Sequence, residues 1–235
     1  MFSIYSLNKL TDAKEDSVNL PERTRYIQYN QQLILLLSIF SCFAAILLGF
    51  LVSFLSIFII LFPFIVGIFY SIQINPKLPR LKNITGVKNL MVALSWAVTV
   101  SLLPETYLYD ISNMVSLIFY FIFVKFFINT VIFDIRDIEG DRKNNIKTIP
   151  VVIGQQKTKK MLLIIHSTLI PWIVVSIYCG FFTRYLPVLI FCIIYGYWYI
   201  HYFCNTEKIP KYATDLLVDG EWIFVAALCF IITLI

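Results

Sequence analysis

The stretch SNMVSLIFYFIFVKFFINTVIFDIRDIEGDR, residues 112–142, decides the fold of this chain. Residues 112–133 carry one charge, Lys125, in a run dominated by Ile, Phe and Val. An apolar run of about 20 residues is the length that crosses a bilayer core as a helix. Lipid offers backbone groups no partners, so such a run has to be helical. The charges then arrive together: Asp134, Arg136, Asp137, Glu139, Asp141 and Arg142. An apolar rod ending in a charged cluster reads as a membrane helix leaving the bilayer.

The same pattern extends in both directions. Residues 33–74 are almost wholly apolar, too long for one crossing, and read as helices over 33–50 and 52–72 that turn near Gly49, with Pro63 kinking the second. Further spans are expected at 88–103, 112–133, 160–180, 185–203 and 221–235. The chain is 59% hydrophobic and 14% charged, against about 25% charged in soluble domains. The expected fold is therefore an all-α membrane protein, a single transmembrane domain over 1–235 with about seven helices. The first thirty residues are polar, with no long apolar core of a cleavable signal peptide.

A net charge of +5 raises the question of nucleic acid. The placement of the charge answers it. With the N-terminus cytoplasmic, the segments 1–32, 75–87, 134–159 and 204–220 and the adjoining helix ends hold every Lys and Arg except Lys125 and Arg184. That is the positive-inside pattern of a multi-pass protein in the cell membrane, not a nucleic-acid surface. The five cysteines lie in or at the ends of apolar runs without a CxxC, and read as packing residues. His166 and His201 are isolated and read as packed or hydrogen-bonded side chains. The same cytoplasmic segments also hold every Asp and Glu except Glu105 and Asp110. The positive-inside rule does not require this, because acidic residues contribute little to it.

Two acidic constellations stand out. Asn8, Asp12 and Asp16 are spaced i, i+4, i+8, one stripe on a helix. Carboxylates at that spacing repel and weaken a bare helix by a few tenths of a kcal/mol; a bound cation reverses the sign. Asp134, Asp137 and Asp141 are spaced i, i+3, i+7, again one face, with Gly140 expected to let the chain turn. Either motif alone reads equally well as a solvated, helix-capping charge run. Two on one side of a short membrane protein favour a shared ligand. Oxygen donors suit Mg²⁺, which keeps waters or phosphate oxygens in its shell, so a diphosphate is the natural partner. Arg23, Arg25, Arg80, Lys82, Arg142 and Lys147 fit the same ligand, and each is equally accounted for by topology.

These residues resemble the UbiA superfamily of intramembrane prenyltransferases. Asn8, Asp12 and Asp16 match its NxxxDxxxD first motif; Asp134, Asp137, Gly140, Asp141, Thr148 and Pro150 match its second. Between them, Tyr70-Ser71, Pro79-Arg80-Leu81-Lys82, Lys88-Asn89 and Trp96 add to the likeness, which runs from about residue 8 to the C-terminus. The resemblance implies a helical bundle with a lateral chamber and Mg²⁺-dependent transfer of a prenyl group from a polyprenyl diphosphate to a hydrophobic or aromatic acceptor. It implies metal binding by Asn8, Asp12, Asp16, Asp134, Asp137 and Asp141, catalytic roles for the last three, and diphosphate contacts from Arg23, Arg80, Lys82, Arg142 and Lys147. The allylic carbon gains positive charge as its bond breaks. Aromatic faces stabilise such charge, and Tyr70 is the candidate, although an interfacial tyrosine has the same signature.

The sequence departs from the family at two points. Members usually have nine spans, the second ending in the first motif; only Met1 to Leu7 precede Asn8, so one whole span and most of another are expected to be missing. Pro21-Glu22-Arg23 leads to Thr-Arg-Tyr where many members have an RPxxSG-like stretch, which leaves the acceptor open. Lys125 and Asn129 share a helix face and are candidates to line the path below Asp134, with pairing of Lys125 to an acid, or snorkelling from an offset helix, as the alternatives. Asp215, Asp219, Gly220 and Glu221 form a third acidic group that reads first as a helix cap. The competing functional readings are a membrane transporter with an acidic cytoplasmic mouth and an inactive truncated family member.

Overall fold

The computed structural model describes residues 1–11, 13, 17, 20–71, 84–108, 113–206, 209–210 and 212–234, the side chains of 11, 68–71, 107, 108 and 113 excepted. Every regular element among these residues is helical. Helices α1 (Phe2–Thr11) and α2 (Pro21–Tyr29) precede α3 (Gln31–Val52), α4 (Phe54–Ser71), α5 (Val87–Leu108) and α6 (Asn113–Arg136). The short α7 (Ile138–Lys143) and α8 (Ile149–Ile153) lead to α9 (Gln155–Ser167) and α10 (Leu169–Tyr178). A 3₁₀ turn, Thr183–Tyr185, opens α11 (Leu186–Asn205), and a π turn, Asp215–Asp219, precedes α12 (Glu221–Leu234).

Six stretches among the described residues are long and apolar enough to cross a membrane: Gln31–Val52, Val87–Thr106, Met114–Arg136, Gln155–Tyr178, Thr183–Asn205 and Asp215–Leu234. The seventh expected span corresponds to the shorter apolar helix Phe54–Gly67. Pro63 stays inside α4. The turn between α3 and α4 falls at Ser53, not at Gly49. Ser53 is extended (φ −164°, ψ 156°), and its hydroxyl caps the next helix by accepting from the Ser56 N–H at 3.2 Å. Gly49 instead permits a close helix approach, since a Cβ there would lie 2.5 Å from Ile60 Cδ1.

Helix α6 is the central post. Half of its apolar window is buried, against 11% for α3 and α12, whose exposed Leu, Ile and Phe side chains form the lipid-facing surface. Ala93 and Ala97, one turn apart on α5, are fully buried and let α5 pack closely on α6. Val124, Ile128, Val131 and Ile132 carry the core across to Leu162 on α9 and to Tyr199, Ile200 and Phe203 on α11.

His166 is a packed membrane histidine, as expected. It is fully buried, with Nε2 2.9 Å from the Ile193 carbonyl oxygen and the ring edge-on to Tyr197. Its ring occupies the space where a Cβ at Gly196 would be. Adding a methyl to a helix glycine gains about 1 kcal/mol in propensity, whereas overpacking a rigid site costs about 1–3 kcal/mol. Ile60 Cδ1 is the free end of a flexible chain; the His166 ring is pinned on two sides. Gly196→Ala is therefore expected to lower the melting temperature clearly, and Gly49→Ala to leave it nearly unchanged, as thermal unfolding in detergent will show.

Candidate active site

Asp134 sits in the last turn of α6 and is 2% exposed. A carboxylate cannot be buried there without donors, and α5 supplies them. Asn89 Nδ2 donates to Oδ2 at 2.7 Å and Lys88 Nζ to Oδ1 at 3.3 Å. Neither residue was among the expected ligands, although Lys88-Asn89 was one of the dipeptides carrying the family likeness. Asp141, on α7, is 6% exposed. Burial, then the negative charge of Asp134, pushes its carboxyl from an ordinary 3.8 up to about 6, with Lys88 opposing the shift.

Asp137 behaves differently. The helix breaks at this residue, which stands between α6 and α7, so the three aspartates do not share one uninterrupted helical face. Its carboxylate takes a two-pronged contact from its neighbour Arg136, Nε at 2.9 Å and Nη2 at 2.8 Å. Arg136 also donates to Thr214 Oγ1 at 2.9 Å and faces Asp215 at 3.6 Å. Gly140 lies buried within α7 and does not make the turn. The chain reverses at Asn144–Asn145 instead, where Asn145 adopts φ 55°, a conformation asparagine tolerates better than most residues.

From the first motif, Asn8 lies among the described residues; Asp12 and Asp16 lie outside them, as do Arg80, Lys82 and the Tyr70 side chain. Asn8 lines a cavity of about 220 Å³ together with Tyr5, Lys9, Lys88, Ser95 and Trp96. Lys88, which lines this cavity with Asn8, also contacts Asp134. Within it, Trp96 Nε1 donates to the Tyr5 hydroxyl at 2.9 Å. A second cavity of about 450 Å³ shares Met1 and Pro63 with the first and runs along Ser41, Gly49, Ser56 and Thr106. Arg142 and Lys147 are exposed, Arg23 is half-buried, and none of the three lines either cavity. Arg23 and Lys9 lie within electrostatic reach of Asp219 on the π turn.

Lys125 does not line the path below Asp134. It faces the opposite side of α6 and pairs with Glu221, one of the two alternatives expected for it.

Among the described residues no three His, Cys, Asp or Glu side chains gather as a metal-ligand set. The donor chemistry that is described nevertheless suits a hard cation. Asp134 and Asp141 are two buried carboxylates whose charges oppose one another, a conflict that a divalent ion removes. The pKa of Asp141 gives a sign to test. A carboxyl raised from 3.8 to about 6 binds a proton in the folded state that the unfolded chain releases. In metal-free buffer, stability is then gained as pH falls through about 6 towards about 4, and lost as pH rises. Asp141→Asn is expected to flatten this part of the melting-temperature profile.

A helical bundle of apolar spans, with two cavities that share Met1 and Pro63 in their walls and a buried carboxylate paired to the Lys88 wall of one, defines a polytopic membrane protein. The chain belongs to the UbiA prenyltransferase family, whose model matches residues 1–214. No curated protein and no solved structure matches it. Family membership supports prenyl transfer as its class of activity.

Proposed function

We propose that the chain transfers a prenyl group from a polyprenyl diphosphate to a hydrophobic acceptor, an aromatic ring or a prenylglycerol phosphate, in a Mg²⁺-dependent reaction at the cytoplasmic surface of the cell membrane. One observation carries the reading: Asn8 of the first motif and Lys88, bonded to Asp134 of the second, line the same cavity. A residue of the first motif and the lysine paired to the second, far apart in sequence, thus line one cavity of about 220 Å³.

Asp134, Asp137 and Asp141, with Asn8, Asp12 and Asp16, are the residues that would hold the metal. When bound, Mg²⁺ neutralises charge on the leaving diphosphate. Asn89 fixes the rotamer of Asp134, and Lys88 adds a cation at the cavity wall. Arg23, Arg80, Lys82, Arg142 and Lys147 are the further candidates for diphosphate contact. Trp96 and Tyr5 offer aromatic faces inside the cavity for the developing allylic cation, and Tyr70 remains a further candidate for that role. The larger cavity, which continues past Met1 and Pro63, offers the apolar tail a place.

The test is turnover by the purified full chain in detergent or nanodiscs. Geranylgeranyl diphosphate is supplied with Mg²⁺ and a panel of hydroxybenzoate, naphthoate and prenylglycerol phosphate acceptors. Acceptor-dependent diphosphate release, lost with EDTA and in Asp12→Ala, is expected. Release that persists unchanged in Asp12→Ala removes the first motif from the site. No release with any acceptor refutes the transferase reading.

A further inference from the structure

The chamber makes no direct use of the most deeply buried charges in the described structure. Lys125 on α6 and Glu221 at the start of α12 are both fully enclosed, with Nζ 2.7 Å from Oε1. The ammonium also donates to the Tyr199 hydroxyl at 3.3 Å and the Cys192 carbonyl at 3.4 Å, and Tyr199 in turn donates to Asn129 at 3.1 Å.

The neighbouring residues repeat the pairing. Phe126 and Trp222 stack at 5.3 Å between centroids with 14° between planes. Positions 125 and 126 therefore meet 221 and 222 twice, once by charge and once by ring. Phe126 also stacks on Trp96, at 4.5 Å and 14°. Trp96 is the cavity residue that bonds Tyr5. A continuous aromatic ladder thus runs from α12 to the chamber wall.

A second tie holds the same segment. Arg136 lies about three turns from Lys125 on the same face of α6 and grips Thr214 and Asp215. The π turn Asp215–Asp219 starts at this tie and ends just before Glu221. A π turn carries one residue more than an α turn, so α12 starts in a register displaced from that of an unbroken α-helix and needs contacts of its own to hold it there. Apolar contacts cannot fix it well either. Lipid is as apolar as the helix face, so a slipped helix loses little. A slipped ion pair leaves two charges unpaired in hydrocarbon.

We infer that Lys125 and Glu221 form a register lock that holds Trp222 on Phe126 and so positions the Phe126–Trp96–Tyr5 wall of the donor chamber. They are positioning residues, and their effect on catalysis rests on the transferase reading above.

The test compares the full chain with Lys125→Met/Glu221→Leu, with the charge swap Lys125→Glu/Glu221→Lys, and with Lys125→Met alone. The first readout needs no substrate: the near-ultraviolet dichroism band of the stacked indole, assigned with Trp222→Phe. The second is KM against kcat for geranylgeranyl diphosphate. The apolar pair is expected to melt cooperatively yet lose the band, with the donor KM raised roughly tenfold by the misplaced wall. The swap is expected to recover the band lost in Lys125→Met. A wild-type band and wild-type KM in the apolar pair would overturn the lock. If the apolar pair does not fold, a swap that fails to restore the band overturns it. If the wild-type chain shows no turnover, the band alone decides the lock and the transferase reading falls separately.

Discussion

Asp134→Asn is expected to lower diphosphate release on the order of 100-fold or more while leaving the bundle folded. The substitution keeps the shape of the side chain. Its amide oxygen can still accept from Asn89 Nδ2, which lies 2.7 Å from Oδ2 in the native protein. What it removes is the charge. The ion pair with Lys88 is lost, and so is the repulsion that helps to raise the Asp141 carboxyl. Stability in EDTA should therefore hold or rise slightly, because Lys88 is half exposed and a pair of that kind contributes about 0–1 kcal/mol. The stabilisation conferred by added Mg²⁺ should disappear. Asn89→Leu separates orientation from charge. Losing an outer-shell partner typically weakens a metal site about 10- to 100-fold, so this variant is expected to fall between the wild type and Asp134→Asn. The two measurements are diphosphate release and melting temperature with and without Mg²⁺. Asp134→Asn retaining release within about threefold of wild type would place the metal site elsewhere.

The parts legible in the sequence were those set by local physics. Apolar runs of bilayer length had to be helices, and six of the seven expected spans appear at full crossing length among the described residues. Two turns differ from the expectation for a common reason. Gly49 and Gly140 resembled punctuation, but both lie inside helices, while Ser53 and Asn145 do the turning. A glycine admits either a turn or a close neighbour, and sequence alone does not say which is present. The candidate carboxylates stood out in the sequence, but the contacts that hold them did not. Asn89 meets Asp134 across 45 positions. Arg136, adjacent to Asp137, draws it towards Thr214 and Asp215, out of the stripe that the spacing suggested. Lys125 announced that it needed a partner, since a charge inside a span always does. Its partner lies 96 residues away, and only the packing of α12 against α6 brings it there.

That pair carries the largest expected effect on stability. Lys125→Met is expected to destabilise the protein by about 3 kcal/mol, near the lower end of the range for breaking a buried ion pair. Intramembrane hydrogen bonds average only about 0.6 kcal/mol, because the unfolded helices find other partners in the bilayer. Glu221 loses more than a hydrogen bond. It is fully enclosed, and its second oxygen, Oε2, has no hydrogen-bond partner among the described residues. Removing Lys125 would leave the carboxyl among Tyr199, Cys192 and core side chains, with no cation in contact. The apolar pair Lys125→Met/Glu221→Leu tests this account, because replacing both members of a buried pair is often neutral. It should recover most of the lost stability, as measured by reversible unfolding in mixed micelles. If the double variant is as unstable as the single, the cost lies in packing rather than in an unpaired charge. If neither is destabilised, water reaches Glu221 and the pair is not a membrane-core interaction. Recovery of stability without recovery of the Trp222 stack would separate the two effects: lost pairing accounts for the stability, and lost register for the shape of the chamber wall.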